Sequence, residues 1–168
     1  MAKGRLEVLL VEAQGIKDRD KFHPGCLNCL NPCKIARKPY VHILYGGQEC
    51  TSSVGKGKGK KREWNEKFAF DVKYPDGGED HVYKIIFRIM DKHKFDEDEF
   101  VGEATAYVKD ILSLGVERGK LEVETRQYRV VESDKTYSGE ISVSISFTKI
   151  KEGAEEDVGG WKESESQE

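Results

Sequence analysis

The sequence predicts an all-β fold, an eight-stranded antiparallel β-sandwich, from three observations on its 168 residues. Short segments alternate apolar and polar residues with the period of two that marks strands. Turn-forming Gly, Pro, Asp and Asn residues punctuate those segments at short intervals. The length suits one domain with a real core, and a composition 35% charged and 37% hydrophobic suits a soluble globular protein.

The first strand is Arg5 to Ala13 (RLEVLLVEA), apolar enough on both faces to be central. Gln14 and Gly15 end it. Ile16 to Lys38 is a long irregular connection carrying Asp18, Asp20, two prolines, three cysteines and the basic run KIARK. Connections of that length are uncommon unless a function or a bound ion orders them. Tyr40 to Tyr45 is the second strand, Gly46-Gly47 the tight turn of a hairpin, and Gln48 to Ser53 the returning strand. Gly55 to Arg62 (GKGKGKKR) offers five basic residues and no side chain able to pack, so it reads as a flexible cationic loop.

Trp64 to Val72 is the fourth strand, with Phe68, Phe70 and Val72 inward. Trp64 reads as packing, and Asn65 and Glu66 as hydrogen-bonding residues that fix the start of the strand. Tyr74 to Asp80 is a turn. Tyr83 to Met90 is the fifth strand, with Tyr83, Ile85, Phe87 and Ile89 on one face, and it leads into a loop with Asp91, Asp96, Glu97, Asp98 and Glu99. Such crowding of carboxylates is costly unless water or a hard cation relieves it. Phe100 to Val108 is the sixth strand, Lys109 to Leu114 (KDILSL) one helical turn, Leu121 to Val131 the seventh strand and Gly139 to Phe147 the eighth. The expected organisation is one domain over residues 1–150, with a cysteine-containing insertion at about 21–38, followed by an acidic, disordered tail at 151–168 that includes Trp161.

Charge and cysteine usage narrow the function. The tail carries seven acids and two bases, so of the formal charge of −3 it accounts for −5 and leaves +2 on residues 1–150. Attraction to phosphate must therefore come from local patches. No apolar run reaches the ~18 residues of a membrane span, and the start lacks both a signal peptide and a myristoylation pattern. A cytoplasmic protein is expected, whose four cysteines are thiols or metal ligands and not disulfides. His23, Cys26, Cys29 and Cys33, spaced H-x2-C-x2-C-x3-C, hold the ligand types to wrap one zinc ion, although structural sites more often use two separated pairs. Cys50 reads as core. Lys56, Lys58, Lys60, Lys61 and Arg62 form the candidate lipid- or polyanion-binding set. They lack the spacing of a nucleotide-binding loop, and no grouping of nucleophile, base and orienting acid points to an enzyme.

In a sandwich successive connections alternate between its ends, so the cysteine segment, the lysine loop and the acidic loop belong to one pole. The blocks LEVLLVEAQGI, KPYVHI, EWNEKFAF and IMDKHKFDEDEFVGEA, in that order, make the chain resemble a C2 domain from about Gly4 to Phe147. Among C2 proteins it is similar to the small plant type, the elicitor-responsive proteins and small phloem proteins, and the Gly159-Gly160-Trp161-Lys162 ending is similar to theirs. The resemblance implies type II topology, calcium-regulated attachment to anionic phospholipid at a peripheral membrane, and a monomer.

Of the five calcium-ligating aspartates of that family, Asp20 matches the first, Asp91 the third, and Glu99, beside Asp98, the last. The second falls on Lys38 and the fourth on His93, a poor ligand for a hard cation. The reduced set of Asp20, Asp91, Asp98 and Glu99 implies weak calcium binding or a single ion, with Asp18 and Asp96 as compensating donors. Two alternatives remain beside membrane docking: RNA binding, which the cationic loop suits but without aromatics for base stacking, and a protein-interaction module with an inactive calcium site.

Overall fold

The inward residues of two antiparallel sheets build the body of the protein. Its structure, a computed structural model, describes residues 2–16, 19–21, 33–35, 37–75, 83–94 and 97–150, with only the backbone of 19–21 and 33–35. Among these are ten strands and one helix: β1 (Ala2–Gln14), β2 (Arg19–Lys21), β3 (Cys33–Ile35), β4 (Pro39–Tyr45), β5 (Gln48–Thr51), β6 (Arg62–Tyr74), β7 (Lys84–Asp91), β8 (Glu99–Tyr107), α1 (Lys109–Arg118), β9 (Lys120–Val131) and β10 (Tyr137–Ile150).

The main strands run in the order β5-β4-β7-β8-β9-β10-β1-β6. A single residue pair, Glu103 with Val131, joins β8 to β9. The array therefore folds there into two four-stranded layers. Between them lie Leu6, Val8 and Leu10 of β1, Ile85, Phe87 and Ile89 of β7, and Ile141, Val143, Ile145 and Phe147 of β10, none more than 1% exposed. These are the alternating residues of the sequence reading, buried because a period of two puts every second side chain on one face. The eight expected strands are all present.

Three segments differ from expectation. The long first connection is not wholly irregular, since β2 and β3 pair antiparallel, Asp20 opposite Lys34. The helix is ten residues long where one turn is expected. Gly115, just past the expected end at Leu114, lies within the helix, where an added Cβ would come within 2.3 Å of the Phe147 ring. The missing side chain lets α1 settle on the core, with Ile111 and Leu112 buried beside it.

The lysine segment, expected as a flexible loop, is a bridged turn. Lys56 and Glu63 exchange both backbone hydrogen bonds at 2.8 Å, and Gly57 (φ 112°) and Gly59 (φ 69°) adopt the left-handed backbone that the reversal requires. Trp64 Nε1 donates to the Ser53 carbonyl at 2.8 Å, and the Glu66 carboxylate accepts from both the amide and the hydroxyl of Ser53, fixing the chain ahead of the turn. Asn65 does not share that hydrogen-bonding role in the described contacts; it takes φ 52° where the β1–β6 register slips between Leu10 and Glu12. Cys50 is a free, half-buried thiol against the core.

Candidate functional site

Two connections and two further strand ends meet at one pole. β1 ends there, β4 starts there, the lysine turn joins β5 to β6 there, and the acidic loop joins β7 to β8 there. The strand register fixes the alignment: Pro39 lies opposite Asp91, and Asp91 opposite Glu99. Backbone hydrogen bonds connect the loops, from Gly55 N–H to Pro39 O at 2.7 Å, Lys92 N–H to Lys38 O at 3.0 Å, and Ile16 N–H to Lys60 O at 3.2 Å. The Gly46-Gly47 hairpin turn sits at the other end of β4.

Asp91 is the centre of the acidic side of this pole. At 4% exposure its carboxylate is buried, and a buried charge persists only with partners. One oxygen accepts the Lys38 backbone N–H at 2.9 Å. The other lies 3.4 Å from Arg37 Nη1 and 3.4 Å from His93 Nε2. The same Arg37 Nη1 reaches Glu99 Oε2 at 2.9 Å, so one guanidinium bridges carboxylates from two strands. Asp91, His93 and Glu99 each offer a ligand atom, and these atoms lie within 4.8 Å of one another.

Asp98 is not part of that group. Its carboxylate accepts a hydrogen bond from the Tyr40 hydroxyl and another from the His93 backbone N–H at 3.0 Å. The Tyr40 bond, reinforced by the His93 amide, holds the Asp98 carboxyl below the usual carboxylate range. That bond, with some burial, pushes the Tyr40 hydroxyl up to about 12. The pair ties the acidic loop to the first residues of β4.

The basic side is distributed differently from the sequence reading. Lys56, Lys58 and Lys60 are exposed. Lys61 lies 3.8 Å from Glu12 and 3.7 Å from Glu63, so part of its charge is spent within the protein. Arg62, expected among the exposed cations, is 5% exposed, and its Nε donates to the Gly59 carbonyl at 3.2 Å. It stabilises the turn from inside because β6 starts at this residue and directs its side chain inward. Two cations that sequence reasoning left out of the patch belong to it: Lys38 and Lys92 are both exposed and are neighbours through their backbone hydrogen bond. Arg37 was missed altogether. Its partners lie 54 and 62 residues away, and only its place beside Lys38 in the KIARKPY run hinted at a role.

Asp20 is described only by its backbone, on β2, and Asp18 and Asp96 lie outside the described residues. Of the zinc set, His23, Cys26 and Cys29 lie outside them too, and Cys33 is described by backbone alone on β3. The tail beyond Ile150 is likewise outside.

The family model of the C2 domain matches residues 4–126. The chain belongs to the C2 domain family. Elicitor-responsive protein 1 of Oryza sativa subsp. japonica is 42% identical to it over 164 residues, covering 96% of each chain. The 16 kDa phloem protein 1 of Arabidopsis thaliana is 38% identical over 168 residues, covering 98% of this chain and 99% of its own. A solved C2 domain-containing protein from an elicitor-responsive gene superposes with a TM-score of 0.63 at 31% identity, covering 91% of this chain and 94% of that one. The C2A domain of plant extended synaptotagmin 1 shares the fold at 19% identity, with a TM-score of 0.63 over 90% of this C2 chain and 99% of its own.

Calcium is the ion this family implies, and the described residues do not fit it while Arg37 is seated between them. Calcium takes six to eight oxygen ligands at about 2.3–2.6 Å. Asp91 and Glu99 supply two carboxylates, the third member of the group is an imidazole, and a guanidinium is already bonded to both carboxylates. Among the described residues no helix is long and apolar enough to cross a membrane.

Proposed function

We propose that this C2 domain docks on anionic phospholipid through its loop pole, as a peripheral protein of the cytoplasmic membrane face. The observation that carries the reading is the line of exposed lysines across adjoining strands. Lys56 follows Gly55, which bonds to Pro39; Lys38 precedes Pro39; and Lys92 bonds to Lys38. Lys58 and Lys60 extend the line on the glycine turn. Each lysine near an anionic surface contributes about 1 kcal/mol, so five give several kcal/mol, enough for reversible attachment. Because the turn is bridged and anchored, less ordering entropy opposes docking than a flexible loop would cost.

The carboxylates of the acidic loop, with Glu97 and Asp98 exposed, would repel the same surface. Arg37 offsets two of them, and Tyr40 and the His93 amide hold Asp98. The five exposed lysines outnumber the exposed Glu97 and Asp98 in what a headgroup meets. Phosphate oxygens accept hydrogen bonds from the ammonium groups, and no covalent step is involved.

The test is sedimentation with phosphatidylcholine vesicles, with and without phosphatidylserine. Binding should require the anionic lipid and decline as salt shortens the screening length to about 8 Å near 0.15 M. Equal binding to neutral vesicles would refute the proposal.

A further inference from the structure

We infer that Arg37 is a tethered cation standing where a divalent ion would bridge Asp91 and Glu99. Those two carboxylates then take no calcium while that guanidinium is seated, and, if the docking reading above holds, attachment does not respond to calcium through them.

The geometry is that of a bridging ion. Arg37 Nη1 lies 2.9 Å from Glu99 Oε2 and 3.4 Å from Asp91 Oδ2, on strands paired at those two residues. Its other neighbours close the alternatives: the Lys38 N–H takes the second Asp91 oxygen at 2.9 Å, and His93 Nε2 stands 3.4 Å from the first. An incoming ion would have to displace a guanidinium that is 17% exposed from a carboxylate that is 6% exposed. It would also leave that cation buried beside another, since Arg stays protonated at every physiological pH. The tether makes the competition one-sided. Arg37 lies two residues before β4, and Pro39 at the start of β4 is held opposite Asp91, so the guanidinium is always local while calcium must be recruited from solution.

The experiment is a calcium titration of the full chain without lipid, by calorimetry and by the shift in thermal midpoint, on the wild type, Arg37→Ala and Arg37→Lys. The wild type and Arg37→Lys should show neither heat nor shift up to about 1 mM calcium, the weak end of calcium-binding modules. Arg37→Ala should be less stable without calcium and should gain calcium binding at least about tenfold tighter than the wild type, with a rise in midpoint. Calcium binding by the wild type as tight as that of Arg37→Ala would overturn the inference, as would a folded Arg37→Ala that takes no calcium. Should Arg37→Ala not fold, the wild-type titration decides alone: silence supports the inference and saturable heat overturns it. Vesicle sedimentation of the same proteins separates the two claims. Failure of every protein to bind anionic vesicles refutes docking and leaves the lipid-free titrations to judge Arg37.

Discussion

Replacing Lys56, Lys58 and Lys60 together by glutamine should cut affinity for anionic vesicles by roughly a hundredfold. The three side chains are exposed, and among the described residues none is paired with a carboxylate. Each contributes about 1 kcal/mol near an anionic surface, so their joint loss costs about 3 kcal/mol, or two decades in affinity. Lys61→Gln makes the discriminating control. Its ammonium already lies 3.7 Å from Glu63 and 3.8 Å from Glu12, so its removal should weaken binding by less than about threefold. Glutamine stays polar and is only slightly shorter than lysine, and the turn is held by backbone bonds and the glycines, so the thermal midpoint should stay put. Sedimentation with phosphatidylserine-containing vesicles at ~0.1 M salt reads the difference. If the triple variant bound within about twofold of the wild type, or Lys61→Gln fell as far as the triple, the assignment of exposed cations would be wrong.

Other outcomes follow from the same contacts. Gly115→Ala puts a methyl 2.3 Å from the Phe147 ring, so calorimetry should find a loss of about 1–3 kcal/mol and a midpoint lower by several degrees. Tyr40→Phe removes the hydrogen bond that depresses Asp98, and a carboxyl-detected NMR titration should find its pKa moved back up toward the ordinary value. Because Asp98 is depressed in the folded state, its stabilising effect is present above the unfolded carboxyl pKa and is lost as pH falls through the folded one. The stability gap between wild type and Tyr40→Phe, read by urea denaturation, should therefore narrow on acidification. Tyr40 itself, raised from 10.0 to about 12, should be a late-titrating phenol in ultraviolet absorbance, and folding should weaken as pH rises through that interval. Trp64→Phe deletes the donor to Ser53 O, and hydrogen exchange at the Lys56 and Glu63 amides should speed up.

What could be read in the chain was what depends on neighbours in sequence. The alternation of Tyr83, Ile85, Phe87 and Ile89, and of Ile141 to Phe147, identified buried strand faces because burial of one face imposes the period directly. Alternation of the connections between the two ends likewise placed the lysine and acidic segments together, as the backbone bonds from Gly55 to Pro39 and from Lys92 to Lys38 bear out. Contacts made across the fold left no such trace. Arg37 lies in a basic run that looks solvated, and nothing local announces that its partner is a buried aspartate on β7. Arg62 reads as the end of a cationic loop, although register with β1 makes it the first inward residue of β6. The helical turn read over Lys109 to Leu114 stops short of Gly115, whose place in the helix depends on Phe147 lying against it. In each case a distant partner outweighs the local preference.

The most direct test of docking through the loop pole is amide line broadening by bicelles that carry a spin-labelled anionic lipid. Signals of Lys56 to Lys61 and of Lys92 should broaden strongly, while those of Gly46 and Gly47 at the opposite end remain sharp. Broadening centred on Gly46 and Gly47, or spread evenly over the sandwich, would contradict the account.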